Sequence, residues 1–369
     1  MVSFDLTDEQ KMIRETVAAF AAGEVRPAAR AADETGSIPP ELITKSWELG
    51  LVAGIIPERF GGYGDTRSAV TGALVAEELA FGDLSIALHA LAPRLLAFPV
   101  IEMGADEQRE RHLKAIAGGD FSAASAALME PRFDFDPAAM RTIARRDGAG
   151  FVLNGVKCNV PLAASAEAIL VYAAADPEAG FAGVEGFILP RGVPGLTISK
   201  REQNMGIKGL DTRELTLADC RVPAAAKLGG GKGINFTRIL SQSRVAMAAM
   251  AVGVARAAFD YARAYAKERK AFGVPIATKQ AVAFMLAEMA IEIDAARLLV
   301  WEAAARLDKG EDAMKEAYQA RNYAASASLT VADNSVQVLG GHGYIREHPV
   351  EMFLRNARGF AVLDGLAIV

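Results

Sequence analysis

The chain has 369 residues, 51% hydrophobic and 23% charged, which excludes disorder and allows two or three structural units around sizeable cores. Its formal net charge of −5 gives no electrostatic basis for gripping nucleic acid or an anionic membrane. A mean hydropathy of +0.18 is high for a monomer and predicts that other subunits cover part of the surface.

The N-terminus, MVSFDLTDEQ, has no apolar run and does not read as a signal peptide. Thr7 with Gln10 forms a capping-box pattern opening a helix whose Met12, Ile13, Val17 and Phe20 share one face. Pro27 is expected at or just past its end. Further helices are predicted over 40–49, 68–80, 85–103 and 107–116, with PERFGGYG (57–64) a loop between the first two.

From about 120 to 227 the period turns from helical to alternating. The runs 151–153 and 156–158 flank Asn154-Gly155, a strong two-residue hairpin signal. Strands are also expected over 169–173, 186–189, 196–199 and 213–222, forming a small antiparallel β-barrel or sandwich. Beyond Ile234 the chain is helical again: 234–270, then 278–308 capped by Thr278, then 313–339, then a short helix after Pro349. Long helices with short connections pack as a four-helix bundle. The fold class is therefore α+β, mostly α, with units at 1–119 (helical), 120–227 (β) and 228–369 (bundle).

Cys158 and Cys220 show no CxxC pattern and read as reduced thiols of a cytoplasmic protein. The four histidines lack any metal-ligand spacing, so no metal is expected. The Ala-rich run 245–258 is broken by Arg256 and preceded by Arg244, so it is not a membrane span. GGGKG (229–233) lacks the Ser or Thr and the earlier glycine of a phosphate loop and reads as a turn. AKERKAFGVPIATKQ (266–280) places Arg269 and Phe272 beside a Gly-Pro turn, ahead of Gln280 in the first turn of a helix. The segment could hold a nucleotide pyrophosphate, but taken alone it reads rather as a charged helix terminus matched to its macrodipole. The end, QVLGGHGYIREHPVEMFLRNARGFAVLDGLAIV (337–369), is apolar after Gly359 except for Asp364, which Gly365 follows. That carboxylate is either an exposed turn residue or one that the fold puts to use.

ERKAFGVPI with its following KQ, QVLGGHGY, HPVE…LRNAR, MEP at 129–131 and NGVK at 154–157 occur in one collinear order over nearly the whole chain. Together they resemble the acyl-CoA dehydrogenase family. The resemblance implies FAD as cofactor, an acyl-CoA substrate, and α,β-desaturation of the thioester. In that reaction a carboxylate takes the α-proton while a hydride leaves for flavin N5. It also implies an electron-transfer flavoprotein as acceptor, and a homotetramer or dimer of dimers, or a heteromer with a second such subunit.

By resemblance, Arg269, Phe272 and Gln280 meet the FAD pyrophosphate and adenosine end, usually of a neighbouring subunit, as do Gln337, Val338, Gly340 and Gly341. Met129, Asn159, Pro161 and Leu366 fall on flavin-ring positions. Arg244, Phe135 and Gly365 fall near the acyl-CoA, and Asp364 falls on the catalytic base. Several of these depart from the family pattern. Asp364 replaces Glu, a retraction of roughly 1.5 Å worth about a hundredfold in rate unless the backbone moves closer. Leu366 replaces Thr; Asn159 and Pro161 stand for a Trp-x-Thr; Phe135 replaces Ser; and the family's final helix is missing after Val369. Ser243 precedes Arg244 where a minority of the family keeps its base. An active acyl-CoA dehydrogenase is therefore expected. The alternatives are a weakly or non-catalytic subunit of a heteromeric acyl-CoA dehydrogenase, or a nitroalkane-oxidase-like flavin oxidase.

Overall fold

The computed structural model describes residues 5–64, 67–118, 121 and 123–369. Residues 1–4 of the predicted non-signal start, and the predicted boundary at 119/120, lie outside the described residues. Helix α1 (Asp8–Phe20) opens with the expected box: Gln10 N–H donates to Thr7 Oγ1 at 3.2 Å and Thr7 N–H to Gln10 Oε1 at 3.0 Å. Pro27 does not end the rod. A π turn (Ala21–Val25) leads directly into α2 (Arg26–Thr35), with Pro27 in its first turn. The widened turn has already interrupted the i→i−4 ladder, so a missing N–H costs little there.

Helices α3 (Pro40–Glu48), α4 (Ala69–Gly82), α5 (Leu84–Leu91), α6 (Arg94–Met103) and α7 (Asp106–Ala117) complete this unit. The single helix expected over 85–103 is two, parted at Pro93, which has no N–H to continue the ladder.

The middle of the chain is a curled seven-stranded sheet of β1 (Ala124–Ala127), β2 (Ile143–Asp147), β3 (Gly150–Pro161), β4 (Ala168–Ala174), β5 (Val184–Pro190), β6 (Leu196–Arg201) and β7 (Thr212–Pro223). The order is β1-β4-β2-β3-β7-β6, with β5 on β4. Most pairs are antiparallel, but β1 and β2 meet β4 in parallel. Asn154-Gly155 makes no hairpin. The reversal between β2 and β3 falls at Gly148-Ala149, with Gly148 at φ 56°, and Asn154-Gly155 lies inside β3 as a bulge against β7. A Cβ at Gly155 would lie 2.6 Å from Thr142 Cα, so a close backbone approach is what requires glycine there.

The last unit holds α8 (Phe236–Glu268), a hairpin of β8 (Lys270–Ala271) and β9 (Val274–Pro275), α9 (Gln280–Asp308), α10 (Met314–Leu339), the single turn α11 (Gly341–Tyr344) and α12 (Val350–Gly359). Thr278 does not cap α9: its hydroxyl donates back to Pro275 O at 2.7 Å, and Lys279 holds the cap position without a side-chain bond. Two apolar stretches, Leu84–Met103 and Phe236–Glu268, are long enough to cross a membrane, yet most of each is buried inside the fold. α4 and α8 share one core, in which Val75, Leu79, Met250 and Val254 are buried. The tail is no frayed end: Leu363 and every residue from Gly365 to Val369 are buried.

Candidate active site

The expected residues fall into two separate groups, one around Asp364 and one lining an open depression. The first is built at the close of α12. That helix is tied down by Ile207 N–H on Asn356 Oδ1 (2.8 Å) and by Arg355 on Asp33 (2.7 Å). After Gly359 the chain turns, Leu363 N–H reaching back to Gly359 O at 2.8 Å, and Arg321 of α10 donates to Leu363 O at 3.0 Å. These contacts fix where Asp364 emerges.

The Asp364 side chain is 14% exposed. Its backbone N–H points at Met129 Sδ, 3.1 Å away, and its Oδ1 accepts from Gly365 N–H at 3.0 Å. Arg244 Nε lies 4.0 Å from Oδ2, an ion-pair separation too long for a hydrogen bond. That Nε is buried and without a hydrogen-bond partner, while the guanidinium sits 5.3 Å over the Tyr318 ring. Burial pulls Arg244 below its usual pKa, and the Asp364 charge works against that shift. Gly365 has φ 72°, the left-handed region, and a Cβ there would lie 2.6 Å from Leu128 Cδ2. Only glycine lets the chain turn inward at this point.

Met129 is half-buried, and its carbonyl accepts from Cys158 N–H at 3.0 Å, which joins it to β3. At the end of β3, Asn159 (φ 52°) donates its N–H to both Glu202 carboxylate oxygens at 3.1 Å. Pro161 follows at the end of the same strand. Beneath them Lys157 and Glu130 form a buried pair at 3.4 Å; burial pushes the lysine down to about 8, while Lys157 and backbone N–H bonds hold Glu130 below its usual range. Leu366 is 2% exposed in the main core, so it meets the site only through its backbone neighbours. Phe135 is half-buried against the second core cluster, with Arg132 5.6 Å over its ring. It is Phe133, two residues earlier, that stands fully exposed.

Beside Asp364 lies a cleft of about 200 Å³ between the 204–207 loop and α12, lined by Met205, Ile207, Arg355, Arg358, Val362 and Leu363. Gly365 lines a separate cavity of about 10 Å³.

The open depression, about 670 Å³, gathers Arg269, Phe272, Gln337, Val338, Gly340 and Gly341 from three elements. The β8–β9 hairpin turns on Phe272 (φ 54°) and Gly273 (φ 80°), the double positive φ of a tight two-residue turn. A bulky residue rarely holds that backbone, and here it leaves Phe272 96% exposed. Gly340 has φ 58°, and a Cβ on it or on Gly341 would meet nothing within 4 Å. Gln280 is exposed at the first turn of α9 but lies outside this lining.

Sequence reasoning missed Lys279, Tyr265 and His342 here, the last two joined at 2.8 Å. It also missed Tyr318 and Arg321 near Asp364. Their i,i+3 spacing on α10 puts them on one face but carries no chemical signature.

Comparison with known proteins bears on the whole chain. Profiles described as acyl-CoA dehydrogenase N-terminal, middle and C-terminal domain match residues 7–120, 125–220 and 231–367. The chain is 39% identical to "Probable acyl-CoA dehydrogenase YngJ" of Bacillus subtilis over 99% of its own length and 96% of that protein. It is 35% identical to the 3-(aryl)acrylate reductase of Clostridium sporogenes, covering 98% of this chain and 96% of the reductase. The structure of butyryl-CoA dehydrogenase from Megasphaera elsdenii superposes with a TM-score of 0.88 at 33% identity, covering 98% and 95% of the two chains.

Proposed function

Because the chain belongs to the acyl-CoA dehydrogenase family, we propose that it desaturates the α,β bond of an acyl-CoA thioester, with Asp364 as the base. The observation that carries this reading is the convergence at one shielded point of the Asp364 carboxylate, its own N–H and Arg244.

FAD is the hydride acceptor in this reading, and the residues fit it unevenly. The dinucleotide end has a built cradle: an open 670 Å³ depression, a planar guanidinium, a glycine pair leaving backbone accessible and an exposed aromatic face. The ring end is poorer, since Asn159, Pro161 and Met129 supply neither an aromatic wall nor a hydroxyl donor. Arg269, Phe272 and the 337–341 segment would hold the adenosine and pyrophosphate of a neighbouring copy's FAD. A second copy also suits the exposed stripe Phe284, Ile291 and Leu298, one heptad apart along α9. A homotetramer in the cytoplasm, passing electrons to an electron-transfer flavoprotein, completes the proposal. When bound, FAD supplies the two-electron acceptor at N5.

The chain's own residues do the rest. The Asp364 N–H now rests on a thioether, a weak acceptor that a thioester oxygen readily displaces. That donor would stabilise the enolate oxygen as the α-proton leaves for Oδ2. Arg244, 4.0 Å from Oδ2, balances the negative charge in a site with little water. The contacts of Arg321 with Leu363 O and of Gly365 N–H with Oδ1 hold the short side chain in one orientation.

A second reading is favoured by the weak ring end: a subunit that lends its adenosine cradle to a partner and turns over little by itself. The test is purification of the chain alone. A yellow protein with one FAD per chain that reduces a dye with an acyl-CoA supports the first reading. A colourless protein without activity refutes it.

A further inference from the structure

In the acyl-CoA reading, the acyl group would extend from Asp364 into the cavity that its neighbour Gly365 lines, and that cavity is nearly full. The cavity behind Gly365 is walled by Leu95, Leu128, Tyr172, Phe236, Leu240 and Ile368 and holds about 10 Å³, room for about one small atom group. Ile368 and Phe236 are each 2% exposed, and the Tyr172 and Phe236 rings stand 5.4 Å apart. Ser243 also lines this space with a buried hydroxyl that has no partner, a polar group that an apolar chain beside it would leave unsatisfied.

The wall carrying Ile368 is seated firmly. The next residue, Val369, lies so close to α4 that a Cβ on Gly72 would be 2.8 Å from Val369 Cβ. Arg67 donates to Val369 O and is itself paired with Glu102. Glu102 also holds Arg238 at 3.2 Å and Gln242 at 2.9 Å. Ile368 therefore cannot swing aside as a lone exposed side chain would.

Resting on the acyl-CoA reading above, we infer that the tail sets the chain length: Ile368 is the back wall of the acyl cavity and limits a straight acyl group to about four carbons. The count follows from placing the thioester carbon and Cα at Asp364, Cβ beyond it, and one further carbon in the remaining space.

The experiment uses the purified FAD-loaded protein with butyryl-, hexanoyl- and octanoyl-CoA, read by thermal shift and by kcat/KM for dye reduction. Each methylene buried in an apolar site is worth about fourfold in affinity. Wild type should prefer butyryl- over octanoyl-CoA by about tenfold or more. Ile368→Ala should move the octanoyl-to-butyryl ratio toward octanoyl by about tenfold or more. Ile368→Val, a change the core tolerates, should move it about fourfold for one lost methylene. Equal or better use of octanoyl-CoA by wild type overturns the length limit alone, as does a ratio that neither variant moves. No thermal shift and no turnover with any of the three thioesters overturns the limit together with the acyl-CoA reading.

Discussion

Replacing Gly365 by alanine tests the turn that delivers Asp364, and its cost can be worked from two independent terms. The residue sits at φ 72°, where a non-glycine backbone costs about 1–2 kcal/mol. The new Cβ would lie 2.6 Å from Leu128 Cδ2 and 2.7 Å from Leu128 Cβ. Leu128 is buried, and its carbonyl is held by Lys157 Nζ at 2.9 Å, so it cannot simply retreat. Overpacking of this kind costs about 1–3 kcal/mol, for a total of about 2–5 kcal/mol. In a chain of this size that lowers Tm by about 4–10 °C, measured at fixed protein and FAD concentration. Leu128→Gly in the same chain removes both contacts but not the backbone term. The two substitutions should therefore couple favourably by about 1–3 kcal/mol. A Tm for Gly365→Ala within about 1 °C of wild type, or strictly additive effects, would refute the reasoning.

Arg269→Gln should lower FAD affinity about tenfold to a hundredfold by removing a charge-assisted bond, read as the flavin-to-protein absorbance ratio after dialysis. An unchanged ratio would remove Arg269 from the cradle. Lys157→Met should cost about 3–5 kcal/mol in denaturant unfolding, because it leaves the Glu130 carboxylate, 3% exposed, without its lysine. A loss under about 1 kcal/mol would mean that Arg132 and the backbone suffice. Burial holds His89 down at about 4, against about 6.5 unfolded. Its contribution is thus present above about 6.5 and is lost as pH falls toward 4, by about 3 kcal/mol at most. Asp83, pushed up to about 6 by burial, acts in the opposite sense over the same range. The comparison of His89→Gln with wild type isolates the histidine: the stability of wild type relative to the variant should fall by up to about 3 kcal/mol between pH 6.5 and 4. Parallel curves would contradict this.

What the sequence revealed tracks how local the physics is. The Thr7–Gln10 box is a contact between residues three apart, and it formed as read. The change from 3.6 to 2 periodicity marks which face of each element is buried, so the three-unit order was legible. Asn154-Gly155 and Thr278 misled because each was judged as an isolated turn or cap. Gly148, with Asp147 before it, took the reversal, and Thr278 bonded backward within its own turn. Arg269, Phe272 and Gly340 come together from segments far apart, and only a family resemblance could have joined them beforehand. Asp364 could be read as an exposed terminus or as a shielded carboxylate. What decides it is the burial of Leu366 to Val369 against α4 and α6, a tertiary fact with no local trace. Gln280 matches in sequence and lies at the start of α9, between Lys279 and Val282, which line the depression.

The proposed reaction begins with Asp364 removing a proton from carbon. The direct measurement is exchange of the α-hydrogens of butyryl-CoA in deuterated water, followed by NMR with wild-type protein and with Asp364→Asn at equal FAD loading. Wild type should wash deuterium into the α position and the variant should be slower by at least about a hundredfold, the scale of losing a positioned base. Exchange at the same rate in both proteins would contradict the assignment.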